Sequence, residues 1–217
     1  MADIFQEVDE EVRREQLKKL WERYQNHIIA AAVVIVLAVG GWRGYDWWQT
    51  KKAAEAGTAF ENAIELSEQG KHAEAEAAFA KLATDSTASY RALAQVRAAA
   101  ELAQTDPKGA IAAYDKIAAD SSIPPVLRDL ANLRSGALAI DNGSFADARA
   151  RLEPLTGSDH TFRHTARELL ALAAWRAGDT AAARHWIEMI NADPETPPDE
   201  RGRAQMLDAL MASAGNS

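Results

Sequence analysis

The sequence predicts an all-α protein: a single N-terminal transmembrane helix followed by a solenoid of stacked helical hairpins. Three observations predict it. A stretch near the front, Ile28 to Trp42, is almost wholly apolar. The chain behind it is alanine-rich and broken at regular intervals by Gly, Asp, Asn and Pro. After each break the same small, bulky, aliphatic pattern returns, four times in all.

The apolar stretch comes first. From Tyr24 through Trp42 there are 19 residues without formal charge, with His27 counted neutral. A bilayer core about 30 Å thick needs roughly 20 apolar residues at about 1.5 Å rise each. Ile28 to Trp48 has 21 residues and fits that length. A cleavable signal peptide is the competing reading, because the strictly apolar part, Ile28 to Val39, has 12 residues and Ala38 and Gly40 mimic a small-residue cleavage pair. Three features favour a retained anchor. The leader is long and carries seven acids, it has helical apolar spacing of its own, and the apolar run continues into Trp42, Tyr45, Trp47 and Trp48. Such an aromatic cluster suits a membrane–water interface. Arg43 lies inside it and can snorkel, and Asp46 marks the interface.

The leader reads as an amphipathic helix, with Val8, Val12, Leu17, Leu20, Trp21 and Tyr24 at steps of mostly three to five residues. Lying at the membrane surface and docking a cytosolic partner are both open to such a helix; the surface reading is the simpler one. Orientation follows from Lys and Arg near the ends of the span. Arg13, Arg14, Lys18, Lys19 and Arg23 precede it, against Arg43, Lys51 and Lys52 behind. The bias places the N-terminus in the cytoplasm and the remainder outside it, in the periplasm of a Gram-negative cell. The expected organisation is a cytoplasmic leader over 1–27, a transmembrane helix over 28–48 and a periplasmic repeat domain over 49–217.

Composition removes several functions. The chain has no cysteine, which excludes disulfides, thiol catalysis and cysteine metal sites. From Arg43 onward there are 19 basic and 25 acidic residues, a net of −6. That balance argues against nucleic acid, whose phosphates call for clustered basic charge.

The repeats are aligned on Gly70, Thr105, Gly143 and Gly178 as turns between paired helices, at intervals of 35, 38 and 35 residues. Five residues after each comes Ala75, Ala110, Ala148 or Ala183. Four further on is Phe79, Tyr114, Leu152 or Ile187, and three beyond that Leu82, Ile117, Leu155 or Ile190. The alanine lets the second helix approach its partner, and the bulky residue fills the space beside it. Ala63, Ala98, Gly136 and Ala171, seven residues before each turn, are the small contacts of the first helix. A spacing of about 34 residues with A-x3-[FY] is the tetratricopeptide pattern, in which each hairpin needs its neighbours to bury its apolar sides. A last helix is expected from Asp199 to Ala212 as a cap. Met206, Leu207, Leu210 and Met211 should face inward, and Asp199, Glu200, Arg201 and Arg203 should stay wet.

No catalytic constellation stands out. There is no phosphate-cradling glycine loop and no G-x-S-x-G. His160 and His164 have i, i+4 spacing, yet Arg163 between them would repel a cation, so polar surface is the simpler reading. His185 is expected to pack beside Trp186. The reading is therefore a non-enzyme with no cofactor, no metal and no small-molecule substrate.

The first helices of such arrays line a surface that takes peptides. Counting from the turns, the groove positions are Phe60, Ile64, Gln95, Ala99, Leu133, Ala137, Glu168 and Leu172. None is the Lys, Asn or Arg of a carboxylate clamp, so a mostly apolar groove is expected. The same residues also stand where hairpin packing could bury them. Gly40, Gly41 and Gly44 give the apolar helix one small face for another membrane helix.

Taken together, the charged leader, the single anchor with "WRGYDWW" behind it and the divergent hairpins resemble the bacterial ancillary SecYEG translocon subunit / cell-division-coordinator tetratricopeptide family. The resemblance spans essentially the whole chain and rests on architecture and spacing. It implies an inner-membrane protein with periplasmic repeats, associated with the SecYEG translocon and with periplasmic chaperones that receive secreted client polypeptides, and it implies no catalytic residues. The alternative is a structural or assembly subunit of another inner-membrane complex.

Overall fold

A computed structural model describes residues 3–214. Among them the chain is helical throughout, without a strand. The helices are α1 (Asp3–Glu68), α2 (His72–Asp85), α3 (Ala88–Thr105), α4 (Pro107–Ala119), α5 (Pro125–Asn142), α6 (Phe145–Leu152), α7 (Arg163–Arg176), α8 (Thr180–Ala192) and α9 (Pro198–Ala214). A short 3-10 turn, Glu153–Leu155, extends α6. The chain divides into two compact units, Met1–Lys52 and Ala53–Ser217.

The stretch Trp21–Glu68 of α1 contains a window long and apolar enough to cross a membrane by length and composition, and none of that window is buried. Its aromatic end is braced locally. Lys52 Nζ sits 4.3 Å from the Trp48 ring centroid and Lys51 Nζ 5.6 Å from that of Trp47. The leader side chains Val8, Val12, Leu17 and Leu20 lie outside the described residues, so the amphipathic face is read from sequence alone.

In the second unit the helices pair as hairpins, the end of α1 with α2, α3 with α4, α5 with α6 and α7 with α8, and α9 follows. All four turns fall where the spacing predicts. Gly70 and Gly178 take φ of 75° and 79°, a left-handed conformation that glycine adopts without a Cβ penalty. Each closes a Schellman motif: the Lys71 amide donates to the Leu66 carbonyl and that of Gly70 to Ser67, and Asp179 and Gly178 donate likewise to Ala174 and Trp175. Three of the second helices, α4, α6 and α8, start on side-chain caps, whereas α2 has none. Asp106 accepts from the Gly109 amide at 3.0 Å ahead of Pro107, Ser144 and Asp147 form a reciprocal capping box, and Asp179 accepts from the Ala182 amide at 2.9 Å.

The repeat residues are the core. Ala75, Ala110, Ala148 and Ala183 are all fully buried, as are Phe79 and Leu152. Full burial of an aromatic or leucine side chain stabilises by about 1.5–3 kcal/mol. Gly136 shows why the first helix needs a small residue: a Cβ there would meet Leu152 Cγ at 2.5 Å. Buried clusters follow one another along the array. α3 gives Ala94 to the cluster with Phe79, and Ala92 and Ala99 to the cluster with Tyr114 and Ala131. α5 in turn gives Ala131 to that cluster and Leu133 and Ala139 to the last one. The first helices α3 and α5 are thus shared between neighbours, which is how stacking buries a hairpin that could not stand alone.

Helix α9 differs from the sequence expectation. Ala204 and Met211 are buried and Leu207 is half-buried, while Met206 is 66% and Leu210 49% exposed. The inward stripe runs at steps of three and four from Ala204, which puts Met206 and Leu210 on the outer side. Nor is the polar face wholly wet. Glu200 accepts from Thr165 Oγ1 at 2.9 Å, Arg201 donates to the Asp193 carbonyl at 3.1 Å, and Arg203 donates to Glu168 at 2.7 Å.

Candidate protein-binding groove

Helix α3 carries Leu93, Val96, Arg97, Ala100, Glu101 and Gln104 along one face, at helical steps of three and four. Helix α5 carries Leu127, Leu130 and Arg134 in the same way. With Phe60 and Ser67 of α1, His72 and Tyr114, these residues line a cavity of about 630 Å³ on the face formed by successive first helices.

Its charges are in different states. Glu101 is 5% exposed and its carboxylate is satisfied locally, accepting from Ser67 Oγ at 2.7 Å and meeting His72 Nδ1 at 2.8 Å. Arg97 and Arg134 are exposed, and among the described residues neither guanidinium forms an ion pair or a hydrogen bond. Tyr114 is 2% exposed, and its hydroxyl makes no hydrogen bond among the described residues. Burial pushes the Tyr114 phenol above its ordinary value, against the lowering fields of Arg134 and Arg97. It is therefore a hydroxyl donor at neutral pH. The cavity thus combines aliphatic walls, two spare cations and one spare donor.

The positions read from sequence are not brought together. Phe60 lines this cavity and also packs edge-on against Phe79, centroids 5.1 Å apart. Ile64 packs against the α2–α3 cluster. Gln95 and Ala99 turn to the other side of α3, where they line a 460 Å³ trough with Ala80 of α2 and Ala113 and Lys116 of α4. Leu133 is 8% exposed in the last buried cluster, and Ala137 is half-buried. Glu168 and Leu172 line a 160 Å³ cavity with Arg203 and Leu207 of α9. Counting from the turns therefore misses Leu93, Val96, Arg97, Leu127, Leu130 and Arg134, and with them the arginines that an all-apolar groove would lack. A signal existed. In α3 the buried apolar positions are alanines, Ala92, Ala94 and Ala99, while the large Leu93 is 43% exposed.

The remaining candidates stay apart. His160 Nδ1 meets Asp129 at 3.0 Å, whereas His164 is buried with Nδ1 3.1 Å from Thr196 Oγ1. Among the described residues no group of three His, Asp or Glu is placed to hold a metal. His185 packs edge-on against Trp186 at 5.1 Å. Added Cβ atoms at Gly40, Gly41 and Gly44 would meet nothing within 4 Å.

Stacked hairpins that leave a partly apolar cavity on their first-helix face define a repeat-type protein-interaction scaffold, a build that is typically non-catalytic. A family model described as tetratricopeptide repeat-like domain matches residues 18–193, and the chain belongs to that family. Comparison with curated proteins and with solved structures returns no match.

Proposed function

We propose that this chain is a membrane-anchored interaction scaffold, an ancillary subunit of the SecYEG translocon that hands secreted polypeptides to periplasmic chaperones. Residues 1–27 lie in the cytoplasm, 28–48 cross the inner membrane and 49–217 form the periplasmic binding domain. One observation carries the reading: a single family match, residues 18–193, takes in both the unburied apolar window and the repeat array with its open cavity. A tether and a peptide-binding surface in one unit suit a protein that meets its clients at a membrane. The five-to-three excess of basic residues ahead of the span supports the orientation.

Protease added to spheroplasts should degrade the repeat domain and leave a short anchored fragment; protection of the whole chain would overturn the topology. Isolation of the full chain in mild detergent should bring translocon subunits with it. The bare face of Gly40, Gly41 and Gly44 favours a second reading, an accessory or assembly subunit of another inner-membrane complex. Cross-links from the apolar helix to such a complex, with none to the translocon, would select it.

A further inference from the structure

We infer that the first-helix cavity binds peptide segments in which an internal aspartate or glutamate side chain is flanked by aliphatic residues. The carboxylate sits between Arg97 and Arg134 and accepts from the Tyr114 hydroxyl. This deepens the scaffold reading and rests on the first-helix face being the binding surface.

The argument is one of unsatisfied chemistry. The chain is acidic overall, with a formal charge of −8, and α7's arginines pair with acids of their own. Arg97 and Arg134 are different: they face one cavity without a carboxylate partner among the described residues. Tyr114 is the second, independent sign. The residue is 2% exposed, its hydroxyl makes no bond among the described residues, and that oxygen is not sealed in the core but stays open to solvent where Tyr114 lines the cavity. A carboxylate has two oxygens and about four acceptor sites, enough for two guanidinium groups and one hydroxyl. The walls define the neighbours. Leu93, Val96, Leu127 and Leu130 offer aliphatic surface beside the cations, so flanking leucines or valines bury area there. Glu101 shares the cavity but turns its oxygens to Ser67 and His72 and makes no ion pair with either arginine among the described residues. First-helix surfaces of stacked hairpins run across successive repeats, which favours a segment passing through over a chain end.

The test uses the full chain in detergent micelles and a labelled peptide of alternating leucine, alanine and glutamate, acetylated and C-terminally amidated so that only side-chain carboxylates are present. Fluorescence anisotropy should show it binding about tenfold more tightly than the same peptide with glutamine for glutamate, the difference expected for charge-assisted hydrogen bonds. The R97Q/R134Q double variant should bind both peptides equally, at the glutamine peptide's affinity. Y114F should lose part of the preference, and its circular dichroism melt reports whether packing was disturbed; R97Q/R134Q alters exposed groups and keeps the test valid if Y114F does not fold. Equal binding of the two peptides by the parent chain would overturn the inference while leaving the groove reading standing. Tighter binding of the glutamine peptide with a free C-terminal carboxylate than of the amidated glutamate peptide would overturn it too. Loss of translocon capture by neither R97Q/R134Q nor L130D would count against the groove reading itself.

Discussion

The two ends of the repeat array use arginine in opposite ways. Around α7–α9 the guanidinium groups are locked. Arg167, 6% exposed, donates to Asp193 at 2.8 Å and to the Thr156 carbonyl at 2.8 Å. Arg163 donates to Asp193 at 3.1 Å and pairs with Glu195, while Arg203 of α9 holds Glu168 of α7. Around α3 and α5, by contrast, Arg97 and Arg134 face an open cavity. The same hairpin unit thus serves as a latched terminus at one end and as a receptive surface at the other. Terminal repeats of a solenoid must close off their exposed face, and a tight ionic latch with a final helix does that. The other end has no such latch among the described residues: its cavity runs across the first helices of three hairpins, and their side chains stay open.

Removing the centre of the latch should have the largest effect. Asp193→Ala leaves Arg167 buried with one partner lost, and loss of one member of a buried pair costs about 3–5 kcal/mol. The chain should melt at a clearly lower temperature by circular dichroism. An unchanged melt would erase the distinction between the two ends. The latch also has a pH signature. Burial pushes the Asp193 carboxyl up, but bonds from Arg163, the Glu195 amide and Arg167 outweigh it and hold the group well below the usual carboxylate range. A depressed folded-state pKa contributes stability that is full above the unfolded value of about 3.9 and is lost as pH falls below it. The melting temperature should therefore drop below about pH 4 in the parent, and less steeply in Asp193→Ala.

Next in size are the contacts that both ends share. Gly136→Ala would place a Cβ 2.5 Å from Leu152 Cγ, and Ala148→Leu would force a larger side chain into a fully buried site of the same hairpin. Overpacking of this kind costs about 1–3 kcal/mol. Both losses should appear in thermal melts without altering the peptide preference of the Arg97–Arg134 cavity. Should Ala148→Leu melt like the parent, the repeat register is wrong.

That register is the part most legible in the sequence. Turns need punctuating residues and close helix contacts need alanine or glycine, so spacing and residue type locate Gly70, Thr105, Gly143 and Gly178 and the buried alanines, while the caps Asp106 and Ser144 come from the structure. The faces of the helices were harder to read. In an alanine-rich helix nearly every position is small and apolar, so the pattern that separates one side from another is weak, and periodicity does not reveal that Gln95 and Ala99 line a different trough from Leu93 and Arg97. The ionic latch is not legible in the sequence, because Arg163 and Arg167 lie 30 and 26 residues from Asp193 and meet it only when the helices pack.

The smallest effect probes where the latched end stops. Sequence periodicity places Met206 and Met211 together on the inner side of α9, yet only Met211 is buried, at 4% exposure against 66% for Met206. Met211→Ala should cost about 2 kcal/mol or more, the range for emptying a buried methionine site. Met206→Ala, on the outer side, should stay within about 0.5 kcal/mol of the parent. Paired melts of the two variants decide the orientation of the helix, because a one-residue rotation would exchange their effects. Equal losses would mean that something covers the outer side of α9 as well, and the array would then continue beyond its last helix into a partner.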